Sequence, residues 1–257
     1  MVAPVPAPGP FLLDGPEGRH ASVVRRIRVG EVLVLTDGAG RVAPATVLAV
    51  GRGSVELHVE AAFDVPSPAV RVTVVQALPK GERSDLAVEL ATEAGVDSMV
   101  PWSASRCVAR WSGDKAEKGT QRWQSVAREA AKQSRRAVVP PIAPLASTSD
   151  VVELIAGSDA TLALHEQGSV PIAGVPLPGS GSVLLIIGPE GGISAEELTL
   201  FTAAGAHAVR LGPEVLRTST AATVALGALG VLARRWEQQA WAAPRDGGGP
   251  LGSKPVP

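Results

Sequence analysis

Two glycine-rich loops carry the residues of this sequence best suited to chemistry. The first, Gly188 to Gly192 (GPEGG), follows an apolar run and precedes Ser194 and Glu197, which have the S-x-x-E spacing of a capping box. It is neither a P-loop, which needs G-x-x-x-x-G-K-[ST], nor the dinucleotide fingerprint G-x-G-x-x-G. Since glycines let a ligand approach the backbone, and ligands of open α/β sheets bind beyond the carboxyl ends of strands, the loop predicts either a small-molecule site or a tight strand-to-helix turn.

The second loop lies in Val209 to Thr220 (VRLGPEVLRTST) and again places Gly-Pro-Glu after a strand. A long helix of small residues follows, with Thr218 or Ser219 as its predicted N-cap. Arg217 precedes that helix, where the helix dipole disfavours a cation, so its position favours a functional over a purely structural role. A third strand is predicted to end within Leu162 to Gly168 (LALHEQG).

The elements that must position these loops alternate between strand and helix after residue 70. Such alternation predicts a mostly parallel sheet that is covered on both faces. Gly95 is placed to cap the first helix. The predicted strands are Arg71–Leu78, Asp97–Pro101, Ala160–Leu164, Val183–Ile187 and Ala206–Leu211, and the predicted helices include Glu82–Ala94 and Thr120–Arg136.

The amino-terminal part of the chain reads differently, as short strands separated by turns. They are predicted at Glu31–Thr36, Val42–Val50 and Ser54–Val59, and their spacing indicates a small β-barrel or sandwich. Two prolines in residues 64–69 indicate a linker. We therefore predict one domain over residues 1–66, a second over 70–242, and a disordered Gly- and Pro-rich tail over 243–257.

Composition limits the class of protein. The 257 residues are 45% hydrophobic, which is enough to form a hydrophobic core. The net charge is −1, so any basic site for nucleic acid must be a local cluster. One cysteine, Cys107, excludes an intramolecular disulfide and fits a reducing cytoplasm. The four histidines lack metal-ligand spacing, so no metal is predicted. The longest apolar stretch, Ala221 to Ala233, is too short to span a bilayer, and we expect a cytoplasmic protein with no membrane segment.

Taken together, these motifs resemble a known family. GPEGGIS with a following Glu, and then LG-x-x-VLRTSTA, are similar to the SPOUT-superfamily methyltransferases that make N3-methyluridine in small-subunit (16S) ribosomal RNA. The resemblance extends to His20-x-x-x-Val24-x-Arg26-x-x-x-Gly30, to Lys80-Gly81 with ATEAGV at 91–96, and to Arg122-Trp123 with EAAKQS-x-R at 129–136. The chain departs from the family pattern at Ser219, where many relatives carry Glu, and at Leu90, where Lys is frequent. The first barrel strand is hard to find in the proline-rich start, which predicts a frayed or rearranged strand.

The resemblance implies a fold, a cofactor and a partner. It implies a PUA-like β-barrel followed by a SPOUT-type α/β domain with a trefoil knot, and a homodimer. The small-residue helix Ala221–Ala233 predicts either close packing against the partner of such a dimer or a buried core helix. The resemblance further implies S-adenosylmethionine bound between three loops, so that a bulky residue at Gly188 should block the cofactor. The implied cofactor-binding residues are Leu164, Ile187, Gly188, Gly192, Leu211, Gly212, Leu216 and Thr218.

Basic residues predict where RNA would bind. Arg128, Lys132, Arg135 and Arg136 fall on one face of the predicted Thr120–Arg136 helix, and Arg25, Arg26 and Arg28 form a second cluster in the first domain. The two clusters are predicted to contact phosphates from two sides, although a solvated charged face is the plain alternative. Trp102 and Trp111 are candidates for base stacking, whereas Trp123 is assigned to the core.

The implied reaction needs a proton removed from uridine N3 and the resulting negative charge stabilised. A guanidinium suits the second task because it stays protonated and donates several hydrogen bonds, so Arg217 is the predicted catalytic residue. Glu190 is the predicted orienting or proton-accepting group. The substrate is expected to be small-subunit ribosomal RNA, either naked or within the 30S particle. The alternatives are ribose 2′-O-methylation by a related SPOUT enzyme, or a non-catalytic RNA-binding assembly factor.

Overall fold

A computed structural model describes residues 1–237 of the protein. The chain divides into two compact units. The first contains residues 1–66 together with residues 136–138, and the second contains residues 67–135 and 139–237. The carboxy-terminal residues 243–257, predicted to be disordered, lie outside the described residues.

The first unit is a five-stranded antiparallel sheet with an apolar core on one face. Its elements are β1 (Gly9–Leu13), α1 (Gly15–Arg19), a π-helical turn (His20–Val24), β2 (Val32–Thr36), β3 (Arg41–Val50), β4 (Val55–Val59) and β5 (Phe63–Asp64). The strand order is β1-β4-β3-β2, and the short β5 pairs with β3. Burial alternates along β4, where Val55, Leu57 and Val59 are buried, as expected for a sheet with one solvated face.

The prediction that the first strand is frayed or rearranged is wrong. Strand β1 pairs in regular antiparallel register with β4, from Gly9 opposite Val59 to Leu13 opposite Val55. The strand contains Pro10, but it lies at the end of the sheet path, where a residue without a backbone N–H is tolerated. Leu13 is buried in the core of the unit, which fixes the register.

The second unit contains a six-stranded sheet with helices between its strands. The elements are β6 (Val70–Ala77), α2 (Arg83–Glu93), β7 (Ser98–Trp102), α3 (Asp114–Gln133), α4 (Thr148–Ala156), β8 (Ala160–Leu164), β9 (Val170–Pro171), β10 (Gly181–Ile187), α5 (Ala195–Ala203), β11 (His207–Arg210) and α6 (Thr218–Leu232), with short 3-10 helices at Ile172–Gly174 and Arg235–Glu237. The strand order is β7-β6-β10-β8-β11-β9, and all neighbouring strands in it are parallel. The most apolar strand, β10, pairs on both sides and is buried from Val183 to Ile187. The predicted α/β class is therefore confirmed.

Helix α3 begins and ends earlier than the sequence predicted. Asp114 and Glu117 provide negative charge in its first turn, and the helix ends at Gln133 rather than at Arg136. Arg135 adopts a left-handed conformation, with φ +56°, directly after the helix. The predicted common helical face of Arg128, Lys132, Arg135 and Arg136 is therefore wrong for the last two residues. Residues 136–138 belong to the first unit, where the Ala137 carbonyl accepts a hydrogen bond from Thr36 Oγ1 at 2.9 Å.

Left-handed residues terminate several helices. Gly95, with φ +91°, ends α2 as predicted, in a Schellman motif where Val96 N–H donates to Ala91 O and Gly95 N–H donates to Thr92 O. Among the described residues, the left-handed conformation is adopted by three residues other than glycine, and all three are arginines: Arg26, Arg135 and Arg234.

Tryptophans form part of the core of the second unit. Trp123 is fully buried, as predicted, and Trp111 packs edge-on against it with ring centroids 5.3 Å apart. Trp102 is also fully buried, against Phe201, so the suggestion that it stacks on an RNA base is wrong. No helix within residues 1–237 has the length and apolar character needed to cross a membrane. Over the same residues, no group of three or more His, Cys, Asp or Glu side chains is arranged to hold a metal ion.

Candidate active site

A cavity of about 470 Å³ lies at the carboxyl ends of strands β8, β10 and β11. Its volume falls in the range of small-molecule sites. The structure brings all the predicted cofactor-binding residues together around this cavity, and both predicted catalytic residues line it as well. They are Leu164, Ile187, Gly188, Gly192, Leu211, Gly212, Leu216 and Thr218, with Glu190 and Arg217.

The sheet register explains why three loops distant in sequence meet at one cavity. Leu164, the last residue of β8, lies opposite Ile187, the last residue of β10, and opposite Val209 near the end of β11. The three strand ends are therefore level, and the loop that follows each strand leaves the sheet at the same edge. This is the edge at which ligands of parallel sheets bind.

The GPEGG loop turns tightly and folds back on itself. Gly192 N–H donates to Pro189 O at 2.9 Å, and Gly192 has a φ of +73°, which favours glycine. A Cβ added to Gly188 would lie 2.9 Å from Ile193 Cγ1 and 3.0 Å from Ile193 N. The packing of the loop itself therefore requires glycine at position 188. A bulky replacement would distort the loop, so lost binding in such a variant would not show that the ligand contacts Gly188.

Gly212 is the better probe of the cavity. It lines the cavity, and a Cβ there would come within 4 Å of a single atom, Glu214 Oε2 at 3.3 Å. Because that carboxylate is the far end of a flexible side chain, the fold should tolerate a larger residue at Gly212.

The predicted capping box at the start of α5 is present and reaches further than its own helix. Ser194 Oγ accepts from Glu197 N–H at 3.2 Å, and Glu197 Oε2 accepts from Ser194 N–H at 3.0 Å. Glu197 Oε1 also accepts from Ser105 N–H at 2.7 Å and from Thr148 Oγ1 at 3.3 Å. This buried carboxylate therefore joins the end of the GPEGG loop to the loop after β7 and to the start of α4.

Helix α6 begins one or two residues earlier than predicted, since either of two N-cap residues had been expected. Arg217 is its N-cap residue, because the Arg217 carbonyl accepts the hydrogen bond from Ala221 N–H at 2.9 Å. The prediction of Thr218 or Ser219 as the N-cap is wrong, and the reason is a long-range contact: Thr218 Oγ1 donates to Gly188 O at 2.7 Å. The Arg217 side chain is exposed at the cavity and caps nothing.

Charged groups of both signs surround the cavity. Glu190 is exposed at its rim, where Oε1 accepts from Lys80 N–H at 3.2 Å. Arg106 Nη1 donates to Gly191 O at 3.0 Å, which places a second guanidinium beside the GPEGG loop. The sequence analysis missed Arg106, although it follows β7 at the same edge of the sheet. The other charged or polar lining residues are Arg83, His165, Glu166, Arg210 and Glu214.

Cys107, which follows Arg106, is a core residue. Its side chain is buried, and burial raises the pKa of the thiol above its ordinary value. A thiol with a raised pKa is a poor nucleophile at neutral pH. Cys107 therefore fills space in the core rather than acting as a nucleophile.

The predicted RNA-contacting arginines are placed on the surface of the two units. Arg25, Arg26 and Arg28 are exposed in the first unit, and Arg128 is exposed on α3 in the second. Lys132, one turn after Arg128, forms an ion pair with Glu129 at 3.2 Å.

Comparison with known proteins identifies the family of this fold and cavity. A family model described as an RNA methyltransferase domain matches residues 66–230, and one described as an RNA methyltransferase PUA domain matches residues 13–60. The chain is 53% identical over 233 residues to a ribosomal RNA small subunit methyltransferase E of Mycobacterium bovis, and the match covers 89% of each protein. This chain belongs to the ribosomal RNA small subunit methyltransferase E family. The resemblance read from its motifs is confirmed, as are the PUA-like nature of the first unit and the RNA methyltransferase class of the enzyme.

Solved structures agree with this assignment. A methyltransferase E from Neisseria gonorrhoeae, solved with bound S-adenosyl methionine, has a TM-score of 0.77 and 27% identity, covering 89% of this chain and 94% of its own. A putative methyltransferase from Legionella pneumophila, solved with bound SAM, has a TM-score of 0.75 and 31% identity, covering 88% and 93%. The trefoil knot implied by the family resemblance stays a prediction.

Proposed function

We propose that this protein transfers a methyl group from S-adenosylmethionine to N3 of a uridine in small-subunit (16S) ribosomal RNA. The observation that carries the proposal is the single cavity that gathers all the residues assigned to the cofactor and to catalysis. The names and bound ligands of the relatives support it, since two of the similar structures hold this cofactor and the curated relative is a small-subunit methyltransferase.

The lining of the cavity fits this cofactor. Leu164, Ile187, Leu211 and Leu216 supply apolar walls for a flat adenine, and the glycine loops expose backbone groups for hydrogen bonding. S-adenosylmethionine carries an ammonium and a carboxylate. Carboxylates at the rim of the cavity would pair with the ammonium, and guanidiniums there would pair with the carboxylate. When bound, the cofactor supplies an electrophilic methyl group.

The chain's own residues would handle the proton and the charge. As the N3 proton leaves the uridine, negative charge develops on the pyrimidine oxygens, and the Arg217 guanidinium would stabilise it by donating hydrogen bonds. Glu190 would orient the base or accept its proton, with its carboxylate held at the rim by the Lys80 N–H. Holding the base in line with the methyl group would contribute much of the rate.

The substrate and the assembly complete the proposal. We assign RNA binding to residues 1–66, with Arg25, Arg26 and Arg28, and to Arg128, Lys132, Arg135 and Arg136, and methyl transfer to residues 70–242. The protein would act in the cytoplasm, on RNA or on the 30S particle. A homodimer would form through α6, where Val224, Val231 and Leu232 are 47%, 66% and 40% exposed.

The test combines product mapping with single-turnover kinetics at saturating RNA and cofactor. Arg217→Ala should slow methylation about 10²–10³-fold, and Arg217→Lys should recover only part of the rate because an ammonium lacks the planar fork of a guanidinium. Arg71→Ala, an exposed arginine near the amino end of β6, is the matched control and should keep the wild-type rate. Wild-type turnover by Arg217→Ala would remove the residue from catalysis.

Nuclease digestion and mass spectrometry of the product RNA test the reaction itself. N3-methyluridine is the expected product. A ribose 2′-O-methylated nucleotide would identify the related SPOUT activity instead, and the absence of any methylated product would favour an assembly factor.

A further inference from the structure

A buried amide lies directly behind the cavity. Gln76 is fully buried near the carboxyl end of β6, in a strand whose other buried residues are apolar. Its Nε2 donates to Thr218 Oγ1 at 3.0 Å and to Ala77 O at 3.1 Å. Its Oε1 has no hydrogen-bond partner among the described residues.

The contact with Thr218 continues to the cofactor loop. The Thr218 hydroxyl accepts the hydrogen bond from Gln76 and donates its own proton to Gly188 O at 2.7 Å. The resulting relay from Gln76 through Thr218 to Gly188 connects β6, the first residue of α6 and the residue that follows β10. Thr218 is itself buried, so its hydroxyl serves this internal relay.

Stability alone does not account for an amide at this place. A buried carbonyl oxygen without a donor lowers the stability of the fold, and an apolar side chain of similar volume would avoid that loss. The hydrogen bond from Gln76 to Thr218 acts instead on the geometry of the cavity, because Thr218 and its own acceptor, Gly188, both line it.

We propose that Gln76 is a positioning residue of the cofactor cavity. Through Thr218 it fixes the Gly188 carbonyl on one side and the start of α6, which carries Arg217, on the other. Without the relay, the GPEGG loop and the start of α6 can move relative to each other, and binding must then order them. The inference rests on the proposed function for the identity of the ligand, S-adenosylmethionine.

The test measures S-adenosylmethionine affinity by calorimetry without RNA, together with thermal unfolding. Gln76→Leu should bind the cofactor about three- to tenfold more weakly, as expected for one lost hydrogen bond, while its melting temperature is unchanged or raised. Thr218→Val should show at least the same weakening, and Thr218→Ser, which keeps the hydroxyl, should recover part of the affinity that Thr218→Val loses. Thr161→Val is the matched control, because Thr161 is buried in β8 and its hydroxyl has no partner among the described residues.

A double variant makes the inference sharper. If the relay acts as one unit, Gln76→Leu with Thr218→Val should bind no more weakly than Thr218→Val alone. Wild-type affinity in Gln76→Leu, a large fall in its melting temperature or a failure to fold, or fully additive effects would each overturn the relay. A uridine product other than N3-methyluridine would overturn the proposed function and leave this binding result untouched.

Discussion

Replacing Glu197 should destabilise the second unit far more than replacing its exposed neighbour Glu196. The Glu197 carboxylate is 4% exposed and accepts hydrogen bonds from Ser194 N–H, Ser105 N–H and Thr148 Oγ1. In Glu197→Ala, all three donors lose a charged acceptor inside the protein. The two backbone N–H groups can be satisfied only if water enters the space that the side chain leaves.

The magnitude follows from the number and type of the contacts. A hydrogen bond to a charged group contributes about 1.5–3 kcal/mol, and partial replacement by water brings the sum for Glu197→Ala to about 3–5 kcal/mol of unfolding free energy. Glu197→Gln keeps the carbonyl oxygen for Ser105 and Thr148, but its amide group meets the Ser194 N–H donor to donor. We expect this variant to lose about 2 kcal/mol.

Urea unfolding followed by tryptophan fluorescence measures this loss, since Trp102, Trp111, Trp123 and Trp236 all lie in the second unit. Glu196→Ala is the matched control: Glu196 is the same residue type one position earlier and is exposed, so its replacement should change the unfolding free energy far less. A loss below about 1 kcal/mol in Glu197→Ala would refute the view that this carboxylate holds three segments together.

Further predictions concern the cavity, the core, the basic surface and the carboxyl end of α6. Gly212→Val should abolish or strongly weaken S-adenosylmethionine binding with little change in melting temperature; unchanged affinity in calorimetry would move the cofactor elsewhere. Cys107 should react with iodoacetamide at pH 8 only in unfolded protein, because burial shields the thiol and its raised pKa keeps it protonated; rapid labelling of native protein would contradict this. Arg128→Ala should weaken RNA binding and reduce its salt dependence without affecting the cofactor, as filter binding at several salt concentrations would show; an unaltered salt slope would identify a merely solvated arginine. Arg235→Ala should lower the unfolding free energy by about 2–4 kcal/mol, because the side chain is only 10% exposed and its guanidinium donates to Asp97 Oδ2 and Gly95 O, both at 2.9 Å; a change within about 0.5 kcal/mol in a urea titration would speak against that contact.

Local sequence signals predicted the parts of the site that depend on local structure. The apolar run of β10, the capping box of Ser194 and Glu197 and the glycine end of α2 each follow from residues within a few positions of one another. Three level strand ends then follow from a parallel sheet, which predicts the edge at which a ligand binds; the individual cavity residues were named from the family resemblance.

Contacts between residues distant in sequence account for what could not be predicted. Thr218 reads as an N-cap, but its hydroxyl is taken by Gly188, 30 residues away. Gln76 is an inconspicuous polar residue in a strand, and its role depends on Thr218, 142 residues away. The end of α3 was misplaced because Arg135 takes the left-handed conformation that sequence rules assign to glycine.

The three left-handed arginines have a consequence for protein engineering. Arg135 and Arg234 each follow the cap residue of a helix, and Arg26 takes the same place after the π-helical turn, where glycine relieves about 1 kcal/mol of backbone strain. A stability-guided or consensus redesign would therefore choose glycine at all three positions. At Arg26 and Arg135 that choice would remove two of the cations assigned to RNA binding. A variant selected only for a higher melting temperature would therefore be more stable and would bind its RNA substrate more weakly.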